Sequence, residues 1–218
     1  MVYYGFKEKL KINLFRFKIT TMKNEKTLVI IKPDGVQRSL IGEIIRRLER
    51  VGLKLVAIKM FVPDNEFIEK HYTVNPEWRR ITGEKTIESY KKKKLSPPSG
   101  DPYEITEITL NNLKKFMTSS PVIAMVWQGA HAVNIVRKLV GNTEPLTSDV
   151  GTIRGDFVLD SYQMSDADKR AIRNLIHASG TKEDAGKEIA LWFPEGTINY
   201  RLIQEQIIYD VNLDGILE

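Results

Sequence analysis

The sequence predicts an α/β fold of the α+β sandwich kind: ferredoxin-like βαββαβ, a four-stranded antiparallel sheet with helices and one inserted segment. Three observations predict it. Segments rich in apolar residues occur at 27–31, 53–62 and 122–127, the first two closed by proline-bearing turns. Between them, apolar residues recur at i, i+3, i+4 and i+7, the helical period. Two successive β-α-β units of this kind suit a four-stranded plan with helices on one face.

Taken in order, the run at 27–31 stops at Lys32-Pro33-Asp34-Gly35, a strand closed by a Pro-Asp-Gly turn. Ser39 is placed to cap a helix carrying Ile41, Ile44, Ile45, Leu48 and Val51, ended by Gly52. Residues 53–62 read as a second strand closed by Pro63, and 64–74 as a helix holding His71 and Tyr72. The rhythm breaks at 76–109. A short helix near Thr86 ends in the lysine run 91–94, and the Pro-rich stretch 97–102 reads as a surface loop. This stretch has too few apolar residues for a core of its own, so it is an insertion. A helix at 110–118 leads to 122–127, uninterrupted apolar sequence suited to a strand buried on both faces. A helix at 130–140 ends at Gly141, a polar loop runs over 141–156, and 156–159 is placed as the fourth strand. Ser165 with Asp168 makes a capping box for a helix reaching Ile176, and Thr181 with Asp184 makes another for a helix through Leu191.

One main domain at 23–196 is therefore expected, with extensions at 1–22 and 197–218. Apolar residues at 42% and charged residues at 28% are those of an ordinary globular protein. The absence of cysteine excludes disulfides, thiolate chemistry and cysteine metal sites, and fits a reducing interior. A net charge of +5 suits anionic small molecules and requires no nucleic-acid partner. No apolar run approaches the roughly eighteen residues that span a bilayer. Within 1–22, Phe6, Leu10, Ile12 and Phe15 are interrupted by basic residues, with no long apolar stretch and no small-residue cleavage site, which argues against a secretory signal.

The chemistry centres on His177, one of three histidines. Asn174 stands three residues before it, and Glu188 follows within reach. A carboxylate bonded to one imidazole nitrogen leaves the other with a lone pair. At a pKa near ~6.5, roughly three-quarters of such rings are uncharged at pH 7 and need no strong base to attack a phosphoryl group. A His that only packs a helix end is the competing reading. Lys32 lies past a strand end, where a cation can project into a site. Arg137 is near a helix C-terminus, where it also reads as a dipole-stabilising surface residue. Arg154 is flanked by Gly151 and Gly155, and arginine engages phosphate oxygens bidentately. A nucleophile with three cations is what phosphoryl transfer needs. No GxxxxGK[ST] or GxGxxG pattern is present.

The segments Thr27-Leu-Val-Ile-Ile-Lys-Pro-Asp-Gly-Val-Gln-Arg38, Gly151-Thr-Ile-Arg-Gly-Asp-Phe157, Asn174-Leu-Ile-His-Ala-Ser179 and Glu188-Ile-Ala-Leu-Trp-Phe193 resemble the signatures of nucleoside diphosphate kinases, in family order. The resemblance covers about 25–75 and 110–196. It implies a ping-pong enzyme in which His177 takes the γ-phosphate of a nucleoside triphosphate and passes it to a nucleoside diphosphate. By matching position, Lys32 would contact phosphate and ribose hydroxyl, and Asn174 the ribose 3′-OH. Tyr72 would lie beside the nucleophile. Arg137, Thr143 and Arg154 would hold the β- and γ-phosphates, and Glu188 would bind the imidazole with Ser179 as its neighbour. It further implies Mg2+ carried on the nucleotide's phosphates with no protein ligand, a cytoplasmic location, and a homo-oligomer, hexamer or tetramer, without membrane or obligate nucleic-acid partners. The family's paired Phe before its third strand, one of which stacks on the base, is replaced by Thr109 and Leu110. Weaker nucleotide binding with intact transfer is the expectation, with Trp78, Tyr90 or Tyr103 as substitutes for the platform. Two other classes compete: a ferredoxin-like nucleic-acid or partner-binding module, motivated by basic charge, and a phosphohistidine carrier with a non-nucleotide donor. The binding module has no need of the full set of site residues, and Asn174 and Thr143 argue against the carrier.

Overall fold

The first apolar run becomes β1 (Lys26–Ile31), buried from Thr27 to Ile31. After it come α1 (Pro33–Gln37), α2 (Ile41–Glu49), β2 (Lys54–Phe61), α3 (Asn65–Thr73), α4 (Trp78–Lys92), α5 (Pro102–Met117), β3 (Val122–Gln128) and α6 (Ala132–Val140). A 3₁₀ turn (Pro145–Thr147) leads to α7 (Ile153–Phe157), α8 (Tyr162–Ala167), β4 (Ile176–Ala178), α9 (Lys182–Trp192) and α10 (Gln204–Tyr209). The computed structural model describes residues 24–92 and 94–209. The extension at 1–22 and residues 210–218 of the C-terminal extension lie outside the described residues.

The four strands form one sheet in the order β2-β3-β1-β4, with every neighbouring pair antiparallel. Successive side chains of β1 point to opposite faces, so its apolar run feeds two cores. Val29 and Ile31 join Ile44, Leu48 and Val136 from α2 and α6. Leu28 and Ile30 join Ile68, Met117 and Trp192 from α3, α5 and α9. Helices thus cover both faces of the sheet, where the sequence predicts them on one.

Two further elements differ from expectation. Residues 153–157 form α7, not the start of a strand at 156–159, because the Thr152 hydroxyl accepts the Gly155 N–H at 3.0 Å and starts a helix. The fourth strand is β4, three residues paired against β1 with Ile176 opposite Ile31, His177 opposite Ile30 and Ala178 opposite Val29. Ser161, not Ser165, caps α8, and the helix ends at Ala167, where Lys169 takes φ +51°. No helix reaches Ile176, so His177 lies in a strand and not between helices. Ser39 likewise takes φ +58° and leaves the N-cap of α2 to Leu40. The Thr181 cap forms as expected, accepting from the Asp184 N–H at 3.0 Å.

Residues 76–109 build more helix than the sequence suggested. α4 and α5 pack side by side, and α5 begins at Pro102, capped by Asp101. Gly83 makes the approach possible, since a Cβ there would lie 2.0 Å from the Pro102 carbonyl oxygen. α5 anchors the pair through buried Ile105, Leu110, Leu113 and Met117, whereas α4 buries only Gly83. Arg79 ties α4 to Glu69 of α3 and Glu107 of α5. The start of the C-terminal extension folds back onto β2: the Ile198 N–H donates to the Val56 carbonyl at 2.8 Å, and Lys54 bonds the Tyr200 carbonyl and Glu205.

Candidate active site

Residues directly opposite in an antiparallel pair share a face. His177 therefore projects on the side of Ile30, towards α3 and α9. Glu188 and Trp192, four apart, lie on one face of α9 and meet it there. His177 Nε2 is 3.1 Å from Glu188 Oε1, and the Ser179 hydroxyl donates to Glu188 Oε2 at 2.6 Å. Burial alone would raise the Glu188 pKa. Attraction to His177 and hydrogen bonds from His177 and Ser179 outweigh it and hold the carboxyl at about 2. An ionised carboxylate only accepts, so Nε2 carries the ring proton and the lone pair is on Nδ1.

The turn before β4 sets this geometry. Leu175 is buried with φ +63°, a backbone region that costs a non-glycine residue roughly 1 to 3 kcal/mol. Backbone bonds hold it there. The Leu175 N–H donates to Asp34 Oδ2 at 3.0 Å, and its carbonyl accepts the Lys32 N–H at 2.8 Å. Gly35 lets the segments meet, because a Cβ would stand 2.6 Å from Ile31 and 3.1 Å from the Leu175 carbonyl. The Lys-Pro-Asp-Gly segment, read as a turn, is thus also the brace of the histidine strand. Asp34 was missed as a site residue.

Asn174, at the head of this turn, accepts from Lys32 Nζ at 2.8 Å and donates to the Thr143 carbonyl at 2.8 Å. Burial, then the nearby Arg154 charge, lowers the Lys32 ammonium to about 8. Arg154 is also buried, and burial, reinforced by Arg137, brings it to about 10. Its guanidinium donates to the carbonyls of Gly141, Asn142, Asn174 and Ile176. Four of the five N–H groups of this fork are thereby engaged with backbone, so Arg154 chiefly braces the cavity wall. Arg137 is exposed at the cavity rim. Lys32, Tyr72, Arg137, Thr143, Arg154, Asn174, His177 and Glu188 all line one cavity of about 920 Å³, and Ser179 is buried behind Glu188.

The family model described as nucleoside diphosphate kinase matches residues 25–93 and 103–198. A nucleoside diphosphate kinase of Pyrobaculum aerophilum is 45% identical over 178 residues, 80% of this chain and 97% of that one. The chain belongs to the nucleoside diphosphate kinase family. A crystal structure of an NDP kinase from P. aerophilum superposes with TM-score 0.74 at 44% identity, covering 78% of this chain and 96% of that one. A transition-state mimic of the Borrelia burgdorferi nucleoside-diphosphate kinase, with bound vanadate and ADP, gives 0.70 at 38%, covering 85% and 97%. The family match omits 94–102, the connection between α4 and α5.

Of the two positions expected to carry a base platform, Thr109 lines the cavity and Leu110 does not. Leu110 is fully buried in the core, and the Thr109 hydroxyl bonds the Ile105 carbonyl at 3.1 Å. Trp78 lines the cavity but lies against Tyr72, ring centroids 5.4 Å apart. Tyr90 also lines it, whereas Tyr103 is exposed and outside it.

His71 is a second residue the sequence reading passed over. Its ring lies 4.6 Å from that of His177 and is almost wholly buried. Trp192 Nε1 donates to its Nδ1 at 3.1 Å. Burial, then His177, lowers His71 to about 3, so it is neutral when folded. An unfolded His71 takes up a proton below its ordinary 6.5, so the unfolded state gains protons and folding weakens as pH falls from 6.5 towards 3. By pH 4.5 this should remove on the order of 2 to 3 kcal/mol. Urea unfolding at pH 7.0 and 4.5 measures it. A His71→Gln variant should show a flatter dependence, and an equally steep one would exonerate His71.

Proposed function

We propose that this chain transfers the γ-phosphate of a nucleoside triphosphate to a nucleoside diphosphate by a ping-pong reaction through a phosphohistidine on His177. The observation that carries the reading is the His177–Glu188 pair opening onto a cavity that also receives Lys32, Arg137 and Arg154. Nδ1 attacks the γ-phosphorus in line. The N–P bond forms as the bond to the β,γ-bridging oxygen breaks, and the nucleoside diphosphate leaves with the electron pair. A second nucleoside diphosphate then attacks the phosphohistidine by the reverse path.

The side chains divide the labour. Glu188, oriented by Ser179, stabilises the positive charge that develops on the imidazole. Lys32 and Arg137 spread the phosphoryl charge, with Arg154 behind them. Asn174 and Lys32 face the ribose hydroxyls, and Thr143 and Tyr72 flank the phosphates. These cationic and neutral groups fit the oxygens of a magnesium nucleotide and leave Mg2+ on the nucleotide's own phosphates. When bound, the ion shares the charge of the leaving diphosphate. We place the kinase domain at about 23–196, in the cytoplasm and in a homo-oligomer, hexamer or tetramer. The exposed Ile58 and Met60 on β2, with Val150 and Leu159, support assembly. Among the described residues no helix is long and apolar enough to cross a membrane.

Incubation with ATP labelled at the γ-phosphate should leave an acid-labile, base-stable label on the protein, discharged by added GDP as labelled GTP. No label at saturating ATP would overturn the proposal.

A further inference from the structure

Beyond the residues that face His177, the cavity continues between α4, α5 and α8. Thr82, Thr86 and Tyr90 stand on one face of α4 and line it, opposite Ser165 and Asp166 of α8. At this end the Tyr90 hydroxyl donates to Asp166 Oδ2 at 3.1 Å, joining positions 76 residues apart in the chain. This bond crosses from one wall of the cavity to the other. Burial, then the Asp166 carboxylate, holds the phenol pKa up, so Tyr90 remains a donor at neutral pH.

A nucleotide with its phosphates against Lys32 and His177 must send its base along the cavity, away from the β1–β4 end. No aromatic ring waits on α5 to stack with it, since position 109 is a threonine and Leu110 is in the core. Enclosure between α4 and α8 then contributes to affinity for the base. We propose that Tyr90 and Asp166 form a clasp across the nucleobase end of the cleft, holding α4 against α8 so that the base of either substrate is enclosed. The proposal rests on the kinase reading and goes further: residues remote from the phosphates set nucleotide affinity.

The clasp acts on the base and not on phosphate, which makes it separable. Calorimetry on Tyr90→Phe, Asp166→Ala and the double variant should show ADP binding weakened about three- to tenfold, the range of one ordinary hydrogen bond. The double variant should be no weaker than either single one, because both remove the same bond. Inorganic tripolyphosphate, which carries no base, should bind all variants within about twofold of wild type. In turnover, KM for ATP and for GDP should rise together while the His177 phosphorylation rate at saturating ATP holds. Unchanged ADP affinity would overturn the clasp, as would equal loss of tripolyphosphate binding or additive effects in the double variant. ADP and tripolyphosphate binding need no turnover. A wild-type chain that takes no phosphate from ATP would sink the kinase reading without deciding the clasp.

Discussion

Replacing His177 by glutamine should leave a folded protein that binds ADP and transfers no phosphate, with kcat lower by roughly 10⁴-fold or more, the scale on which covalent nucleophiles fail when removed. The fold should survive because β4 is held through backbone pairing with β1 and through the Leu175 turn, none of which uses the imidazole. Glutamine also retains an N–H for Glu188, which would otherwise be a buried carboxylate short of a partner. It lacks the lone pair that Nδ1 supplies. Steady-state turnover of ATP with GDP, the labelling experiment and ADP calorimetry on one preparation separate these effects. Residual transfer within about a hundredfold of wild type would mean that another group accepts the phosphoryl group. Loss of transfer together with ADP binding would implicate the fold instead.

β1 and β3 were legible because strands buried on both faces are written as continuous apolar runs. α9 was legible because its cap and period agree. β4 was not, since three residues carry no alternation and their pairing is fixed across 140-odd residues by Asp34, Lys32 and a strained Leu175. A strand made by tertiary bonds leaves little local mark. The same cause hid His71 and Asp34, whose importance lies in whom they meet. His71 looks like any apolar-face helix residue until Trp192 arrives from α9. Motif order located the residues around His177, while the chemistry of each depended on contacts. Arg154 is the clearest instance, placed among the phosphate cations from its flanking glycines yet spending most of its donors on carbonyls.

Lys32 carries the second large effect. Its ammonium is at about 8, lowered by burial and by Arg154. Phosphate binding needs the charged form, so kcat/KM should fall as pH rises through about 8, approaching tenfold per pH unit above it. Bound phosphates favour the ammonium, so kcat, which reports the complex, should hold to higher pH. Lys32→Arg should remove the alkaline limb because a guanidinium stays charged. Lys32→Met should lower kcat/KM on the order of 10² to 10³, the scale of losing one aligned donor to a transition-state oxygen. Stability moves the opposite way. With the folded pKa below the ordinary 10.5, the unfolded chain holds the extra proton between about 8 and 10.5, so folding strengthens across that window as pH rises. At neutral pH the buried ammonium is a burden that Lys32→Met removes, offset by the lost bond to Asn174. The variant should therefore unfold at no lower urea concentration than wild type while remaining nearly inactive. Rate profiles from pH 6 to 10 with urea titrations test both halves. A flat kcat/KM across pH 8, or a Lys32→Met protein that is inactive because it has unfolded, would show that Lys32 serves the fold and not the phosphate.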